Sequence, residues 1–380
     1  MTFRRSFVWA WAAAMLAAFL AYPMVSPADA LPAGQIARVN AIVKSAMAAQ
    51  HLAGVEIAIG RNGRVLFTRG YGLRDRARNL PVTAATVFPI GSITKQFTAT
   101  AVMLLVQQGK VNLDAKVALY LPSAPHASEI TVRELADQTS GLHDYLENKP
   151  LLVSIETGKA RTHHTPEQLV DLLRGMPLLF KPGTKWAYSN TNYLMLGMLV
   201  AKVSGTPFAS YLTANVLEPQ GLDAIKWLLW SVPRGSDVSR GYSYANGSYA
   251  LVPNYDMTWG GAAGALASTA DDLVQWDGAY FGGRVLTPQS VRIATTPPHG
   301  IAAVASKDPK DNIIAGYAFG WAVGEDEGRA IIWHNGGIIG ARAMNAVFPN
   351  DGLEIVVLTN ATEAKPESIS LRIARMLYAQ

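Results

Sequence analysis

Apolar residues recur along the chain with two different periods, and the change of period separates helical from strand-like regions. Near the start they return every three to four residues over 36–47, which predicts a helix. Segments 54–60 and 65–71 are strand-like and are joined through Asn62-Gly63, a strong signal for a β-hairpin turn. A long helix rich in alanine, valine, methionine and leucine is predicted over 92–108.

The middle of the chain is predicted to be mostly helical. Thr165-Pro166 places an N-cap residue before a proline at the first helical position, which indicates the start of a helix. An apolar helix over 192–204 ends at Gly205. The stretch 242–259 is aromatic and is expected to be loop-like.

The last quarter of the chain returns to strands. Four short strands are predicted over 318–323, 330–334, 341–348 and 353–358, followed by a helix over 366–378. Strands at both ends with helices between them predict an α/β fold plus an all-α lobe. The expected architecture is one antiparallel sheet flanked by the N- and C-terminal helices, with a large helical insertion.

The predicted domain boundaries follow from this pattern. Residues 31–110 and 300–380 are assigned to a discontinuous α/β domain, and residues 111–299 to a mainly helical domain. Residues 1–30 are assigned to a signal peptide, because two arginines precede an uncharged apolar run and a small-x-small site ends the segment. This predicts a secreted or periplasmic protein. The alternative is a membrane anchor, but the run over 7–22 is shorter than the ~20 residues of a spanning helix.

Composition excludes several classes of function. The 380-residue chain has no cysteine, which excludes disulfides, thiolate metal sites and a cysteine nucleophile. Its net charge of +5 is spread without a basic stripe, so no nucleic-acid partner is expected. His163 and His164 are adjacent and point in different directions on any regular element, so neither a metal site nor a cofactor is predicted. No Gly-x-Ser-x-Gly sequence is present to supply an α/β-hydrolase nucleophile.

Ser92 and Lys95 form the one Ser-x-x-Lys sequence in the chain. A spacing of three at the start of a helix places both side chains on one helical face. A serine hydroxyl needs a base within hydrogen-bond reach to act as a nucleophile. Burial and the positive end of a helix both disfavour a charged lysine, which makes Lys95 a candidate base. Taken alone, the same tetrad also occurs by chance at sites without catalytic function.

Two further motifs carry polar or glycine residues suited to acyl transfer. Tyr188 and Asn190 precede a helix, where a phenol can relay a proton and an amide can hold a substrate carbonyl. His334-Asn335-Gly336-Gly337 ends a predicted strand, and paired glycines let a substrate lie against the backbone. The amides of Gly337 and Ser92 are then candidates for an oxyanion hole. The plainer alternatives are a surface tyrosine, an N-cap asparagine and an ordinary glycine turn.

Ser-x-x-Lys, Tyr-x-Asn and a basic-x-Gly triad, in this order, resemble the three motifs of the serine β-lactamase and D-alanyl-D-alanine carboxypeptidase superfamily. The Tyr-x-Asn form resembles its class C branch, and segments 138–142, 182–190 and 264–272 also look like family sequence. The resemblance implies a cleft between the sheet and the helical lobe. It further implies Ser92 as the acylated nucleophile, Lys95 as the activating base and Tyr188 as the proton relay.

The same resemblance assigns substrate contacts. It implies that Asn190 positions both substrate and lysine, and that Gly336 and Gly337 line the substrate strand. His334 takes the place usually held by a lysine, and Asn335 that of a threonine or serine, so vigorous penicillin hydrolysis is not expected. If His334 faces the cleft, its protonated form is expected to bind a substrate carboxylate. The alternative is that it packs beside the neighbouring tryptophan and bonds locally.

The resemblance implies an acyl-serine enzyme acting on D-amino-acid peptides or related amides, with peptidoglycan stem peptides as candidate substrates and β-lactams as candidate acylating ligands. Two alternatives remain, a carboxylic esterase of the same family and a penicillin-binding sensor or scaffold with slow turnover. No obligatory protein partner is evident from the sequence. Several aromatic residues are left open between a substrate wall and plain loop packing: Tyr242, Tyr244, Tyr249, Tyr255 and Trp259.

Overall fold

The computed structural model describes residues 30–157, 163–228, 236–253, 256–303 and 314–379. The predicted signal peptide therefore lies outside the described residues except for Ala30. Within the described ranges, none of the helices has the length and apolar character needed to cross a membrane.

The described residues form helices and strands in alternation, with the strands concentrated at the two ends of the chain. Helices α1 to α11 span Ala33–Gln50, Thr94–Gln107, Val132–Ala136, Lys149–Glu156, Pro166–Asp171, Asn190–Ser204, Phe208–Leu212, Gly261–Gly264, Ala270–Phe281, Pro288–Ala294 and Pro366–Tyr378. Strands β1 to β13 span Gly54–Arg61, Arg64–Asp75, Leu80–Pro81, Phe88–Pro89, Lys226–Trp227, Tyr242–Ala245, Ser248–Leu251, Leu266–Ser268, Ile314–Ala318, Trp321–Asp326, Arg329–Ile338, Ala341–Phe348 and Leu353–Thr359. Short 3-10 turns lie at Gly91–Ile93, Val117–Leu119, Tyr145–Glu147, Glu218–Gln220 and Met257–Trp259, and a π-helical turn at Thr213–Leu217.

The main sheet has eight antiparallel strands in the order β3-β2-β1-β13-β12-β11-β10-β9. The two ends of the chain meet where β1 pairs with β13, from Val55 opposite Thr359 to Arg61 opposite Leu353. The β1–β2 hairpin turns at Asn62 and Gly63, whose φ angles of 52° and 78° are those that a tight two-residue turn requires. The predicted antiparallel sheet and its first hairpin are therefore confirmed.

Helices cover the centre of this sheet. Every residue of β13 is buried, as expected of a strand enclosed on both faces. Helix α11 packs on β12 and β13 and also meets α1, while α9 packs on β1, β2 and β13. Helices therefore flank the sheet, as the strands at both ends of the sequence predict.

The helical region is built around α2 and α6. Helix α6 is buried over most of its length and contacts α2, α3, α5, α7 and α8. Helix α2 precedes the predicted domain boundary at residue 110, yet it packs against this helical region while the turn before it contacts β11 and β12. The start of α2 therefore lies between the sheet and the helices. The division of the chain into two domains stays a prediction.

One predicted loop contains a hairpin. Strands β6 and β7 pair around Asn246 and Gly247, whose φ angles are 51° and 79°. This is the same Asn-Gly signal as in the first hairpin, and the high aromatic content of 242–259 hid it in the sequence. Tyr242 is buried, and its hydroxyl accepts a hydrogen bond from the Arg76 amide at 2.7 Å. The hairpin thus packs against the body of the protein.

Candidate active site

Ser92 lies in the 3-10 turn Gly91–Ile93, two residues before α2 begins at Thr94. The turn starts at Gly91 with φ of 50°, a left-handed value that favours glycine. Lys95 follows on the first turn of α2, and its Nζ donates a hydrogen bond to Ser92 Oγ at 3.1 Å. The predicted pairing of these two side chains by their spacing of three is present in the structure.

Lys95 is fully buried, with none of its surface exposed. Its Nζ also donates to Asn190 Oδ1 at 2.7 Å and to the Ala263 carbonyl at 2.8 Å. Burial lowers the pKa of Lys95 to about 7, although the negative charge of Asp144 acts in the opposite direction. A lysine with this pKa is partly neutral at physiological pH and can accept a proton from the adjacent hydroxyl.

Asn190 is held in place by a residue that the sequence pattern did not single out as functional. Its Nδ2 donates to Asp144 Oδ2 at 2.7 Å, and its backbone amide donates to the same oxygen at 3.2 Å. Burial raises the pKa of Asp144 above its usual range. The family resemblance implied that Asn190 positions Lys95. The contact of Asp144 with Asn190 is seen only in the fold.

Tyr188 stands on the other side of the serine. It lies with Ser92 in the wall of one cavity, and the Lys95 Nζ lies 4.8 Å from its ring centroid. Burial raises the pKa of Tyr188 well above 10, and the nearby Tyr317 adds to the effect. The phenol therefore keeps its proton near neutral pH. It can donate that proton to a leaving group and take up another from the serine side.

His334 lies on β11, but its side chain is only 4% exposed. Its Nδ1 is 2.5 Å from the Asn335 carbonyl, and its Nε2 is 3.0 Å from the Tyr317 hydroxyl. A carbonyl only accepts, so Nδ1 carries the proton and Nε2 accepts from Tyr317. Burial, with a smaller effect of Lys95, lowers the pKa of His334 to about 3.

This geometry contradicts the expectation that a protonated His334 meets a substrate carboxylate. The ring is enclosed, neutral and bonded to its own neighbours, which is the local arrangement weighed as the alternative. The imidazole could not take the place of the lysine cation because charging it would cost its hydration in a closed pocket beside Lys95.

Gly336 and Gly337 let the strand lie directly against the serine turn. A Cβ on Gly336 would be 1.8 Å from the Ile90 carbonyl oxygen, and a Cβ on Gly91 would be 2.7 Å from the Gly337 nitrogen. Only residues without side chains permit this approach. It brings the backbone of Gly337 next to that of Ser92, as an oxyanion hole made of their two amides requires.

The edge of β11 beside this turn is open for part of its length. In the described residues, β10 pairs with β11 as far as Trp333, whereas the segment from His334 to Ile338 pairs with β12 alone. Asn335, Gly336 and Gly337 also line the cavity above Ser92. A substrate backbone can therefore lie along this stretch of strand.

A family model described as Beta-lactamase matches residues 39–380. The chain belongs to the beta-lactamase family. It has the beta-lactamase/transpeptidase-like fold.

Relatives of this beta-lactamase-family chain are similar over most of its length. Protein flp from Staphylococcus aureus (strain NCTC 8325 / PS 47) is 25% identical over 330 residues, covering 85% of this chain. The chain spans 62% of the length of that relative.

Among solved structures, the octameric penicillin-binding protein homologue from Pyrococcus abyssi has a TM-score of 0.79 and 25% identity, over 91% of this chain and 78% of that one. A D-stereospecific amidohydrolase from Streptomyces sp. has a TM-score of 0.75 and 26% identity, over 88% and 97%. Because the first of these is an octamer, the expected lack of an obligatory protein partner stays a prediction.

The cavity of this beta-lactamase-family site has a volume of about 670 Å³. Ser92 and Tyr188 lie in its wall, and most of the remaining surface is apolar: Leu146, Leu152, Ile155, Trp186, Trp259, Trp333, Ile338 and Ile339. Of the aromatic residues left open by the sequence, Trp259 lines the cavity and Tyr255 lies outside the described residues. Tyr244 stacks on His51 with the ring centroids 4.0 Å apart, which is packing against the body of the protein.

Arg342 completes the wall and was missed in the sequence. Its position within an ordinary predicted strand carries no motif. In the register of β11 and β12, Arg342 lies opposite Gly337.

Proposed function

We propose that this chain hydrolyses D-amino-acid-containing peptides or related amides through an ester on Ser92. The observation that carries the proposal is the 3.1 Å contact between Ser92 Oγ and a buried Lys95 whose pKa is lowered to about 7. A nucleophile in contact with its base, with a second proton carrier in the same cavity, is what acyl transfer by a serine needs.

The steps follow from the contacts around the serine. Neutral Lys95 accepts the hydroxyl proton while Ser92 Oγ bonds to the substrate carbonyl carbon. The negative charge on the carbonyl oxygen is stabilised by the amides of Ser92 and Gly337. As the carbon–nitrogen bond breaks, Tyr188 delivers a proton to the leaving amine and regains one from Lys95. Water then hydrolyses the ester by the same groups in reverse.

The remaining site residues have supporting roles in this proposal. Asn190 accepts a hydrogen bond from Lys95 and holds the lysine next to the serine. Asn335 and Gly336 offer the open edge of β11 to the substrate. His334 is hydrogen-bonded to the Tyr317 hydroxyl and to the Asn335 carbonyl. Through these two hydrogen bonds it holds Tyr317 and this part of β11 in position.

The substrate class rests on the resemblance of the three motifs and on the 26% identity with a D-stereospecific amidohydrolase. Peptidoglycan stem peptides fit this class, and β-lactams are proposed as acylating ligands with slow turnover. The neutral His334 supports the slow turnover, because a β-lactamase places a permanent lysine charge there.

The test uses the purified chain with three acyl donors. A D-Ala-D-Ala peptide, nitrocefin and a p-nitrophenyl ester are compared by rate, and intact mass reports an adduct on Ser92. We expect the peptide to be hydrolysed and Ser92→Ala to lose activity by several orders of magnitude, as removal of a nucleophile does. The control Ser45→Ala changes an exposed serine on α1 and should retain full activity.

The outcomes separate the candidates. Turnover of the ester alone would favour the esterase, and an adduct with nitrocefin that persists without peptide hydrolysis would favour the sensor. Activity retained in Ser92→Ala would assign the nucleophile to another residue.

We further propose that residues 1–30 direct export and are removed. The two arginines, the apolar run and the small-residue site support this. Expression of the whole chain in a bacterial host, followed by the mass and N-terminal sequence of the exported protein, tests it. A product that keeps residues 1–30 and stays with the membrane would favour the anchor.

A further inference from the structure

Gln138 holds the backbone on both sides of Tyr188. Tyr188 lies in the loop that leads into α6. The amide of Ala187, the residue before it, donates to the Gln138 carbonyl at 3.0 Å. The amide of Ser189, the residue after it, donates to Gln138 Oε1 at 2.9 Å. One residue therefore fixes the path of this loop from both sides of the tyrosine.

The backbone of Gln138 has a conformation that is uncommon for a residue with a long side chain. Gln138 lies just past the end of α3 with φ of 61°, in the left-handed region that glycine or asparagine usually occupies at the end of a helix. In this conformation both its carbonyl and its side chain reach the loop that carries Tyr188. The backbone alone would favour glycine here, so the glutamine points to a use of its side chain.

A chain of hydrogen bonds determines which way the Gln138 amide faces. A backbone amide only donates, so the atom that meets Ser189 is Oε1. The same oxygen accepts from Asn192 Nδ2 at 2.5 Å. Asn192 Oδ1 in turn accepts from the Ser140 hydroxyl at 2.6 Å, and that hydroxyl accepts from the Leu142 amide at 3.1 Å. The four side chains and the loop they hold are buried, so bulk water does not replace a lost bond.

We propose that Gln138 is a positioning residue that sets the Tyr188 phenol against Ser92 and Lys95. The inference rests on the proposed function, in which Tyr188 delivers a proton to the leaving group. Without the Oε1 acceptor the Ser189 amide is buried and unpaired, so the loop that carries Tyr188 has to shift to satisfy it. A displacement of about 1 Å at a reacting group can lower a rate by about 100-fold.

Two substitutions separate the side chain of Gln138 from its backbone. Gln138→Met keeps the length of the side chain and removes the acceptor. Gln138→Gly also removes the acceptor and suits the left-handed φ, so it carries the comparison if the methionine variant does not fold. The control Asn360→Leu removes another buried amide, which donates to the Leu73 and Arg240 carbonyls at 3.0 Å each. Thermal unfolding of every variant reports its loss of stability.

The leaving group of the substrate distinguishes positioning from a general loss of structure. The p-nitrophenyl and methyl esters of acetyl-D-phenylalanine share one acyl part. p-Nitrophenolate departs without a proton, whereas methoxide needs one from a general acid. The value of kcat/KM for each ester includes the departure of its leaving group. A smaller fraction of folded protein lowers both values equally, so the ratio of the two values reports proton delivery alone.

We expect Gln138→Met and Gln138→Gly to lower kcat/KM on the methyl ester roughly 10- to 100-fold more than on the p-nitrophenyl ester. Tyr188→Phe should show the same selectivity to a larger extent. Gln138→Met should add little to it in the double variant, because both changes act on one phenol. Asn360→Leu should lower the melting temperature and keep the ratio of the parent protein.

An equal loss on both esters in Gln138→Met and Gln138→Gly would overturn the proposal, and so would full additivity with Tyr188→Phe. Crystal structures of the parent protein and of one Gln138 variant give a test without turnover. A Tyr188 phenol that keeps its position relative to Ser92 would overturn the proposal, and a displaced phenol would support it. Failure of the proposed function has a different signature, which is that neither ester acylates Ser92 in the parent protein. The crystal structures then still decide whether Gln138 positions Tyr188.

Discussion

Asp144 Oδ2 accepts a hydrogen bond from Asn190 Nδ2 at 2.7 Å, and this contact determines which end of the amide faces Lys95. An ionised carboxylate only accepts hydrogen bonds and an ammonium only donates them. Between these two partners the Asn190 amide has one satisfying orientation, with Oδ1 toward Lys95 at 2.7 Å. Asp144 thus acts on the reacting serine through two intervening side chains.

Replacing Asp144 by asparagine should shift the pH dependence of the reaction. The negative charge of Asp144 raises the pKa of Lys95 against the larger effect of burial. Its removal lowers that pKa further, so the rising limb of kcat/KM on a neutral ester should move to lower pH. The maximal rate should fall roughly 10- to 100-fold, because an amide at position 144 no longer dictates one orientation of Asn190.

The control for this shift is Glu147→Gln, which removes a carboxylate from the same turn. Glu147 pairs with His143 at 2.9 Å and does not contact Asn190 in the described contacts. In Glu147→Gln the rising limb of kcat/KM against pH should stay near pH 7, where Lys95 loses its proton. An Asp144→Asn profile that superimposes on the parent profile would rule out electrostatic coupling to Lys95.

Lys95 and Tyr188 should behave as one unit. Lys95 Nζ contacts Ser92 Oγ and lies 4.8 Å from the Tyr188 ring centroid, and the proton taken from the serine has to reach the leaving group. Lys95→Ala and Tyr188→Phe should each lower kcat by about 10²- to 10⁴-fold, and the double variant by much less than the product. The pair Lys95→Ala with Tyr120→Phe, whose phenol accepts from the Asn112 amide, is the additive control. Additivity in the first pair would show that their roles are independent.

The neutrality of His334 has a measurable consequence. With its pKa lowered to about 3, the ring takes up no proton between about pH 5 and 9. The ratio of kcat/KM for a carboxylate substrate to that for its neutral amide should therefore be constant through pH 6.5. A ratio that declines as pH rises past 6.5 in the parent protein but not in His334→Gln would show a titrating histidine and restore the anion-binding hypothesis.

A lysine at position 334 should destabilise the protein. His334→Lys places a charge in a closed pocket near Lys95, and burying an unpaired charge costs several kcal/mol. Denaturant unfolding of His334→Lys and His334→Gln measures this, and the glutamine variant should lose much less because it can still donate to Asn335 and accept from Tyr317. Equal stability of the two variants would contradict the enclosed site.

The two glycines of β11 should differ sharply in their tolerance of a methyl group. In Gly336→Ala the new Cβ meets the Ile90 carbonyl oxygen at 1.8 Å, and backbone cannot yield as a side-chain end can. We expect a loss of about 1–3 kcal/mol in unfolding free energy and a severe loss of activity as the strand leaves the serine turn. Gly337→Ala meets only the end of Arg342, at 3.3 Å, and should be the milder change in stability. The reverse order in denaturant unfolding would contradict this packing.

Much of the fold was readable from local sequence. The Asn62-Gly63 turn predicts a hairpin because both positions favour positive φ, and the structure has it. Period-2 runs at the chain ends predict the antiparallel strands, although β11 continues to Ile338, beyond the predicted end at residue 334. Glycine residues interrupted the apolar pattern there, while the backbone pairing with β12 continues without side chains.

The proximity of Ser92 and Lys95 was equally determined by sequence, since residues three positions apart on a helix share a face. What the sequence left open depends on groups far apart in the chain. Asp144 meets Asn190 across 46 positions, and Gly337 reaches the serine turn from the far end of the chain. The charge states of Lys95 and His334 were decided only by tertiary structure. Desolvation depends on what encloses a side chain, and enclosure arises when distant segments pack together.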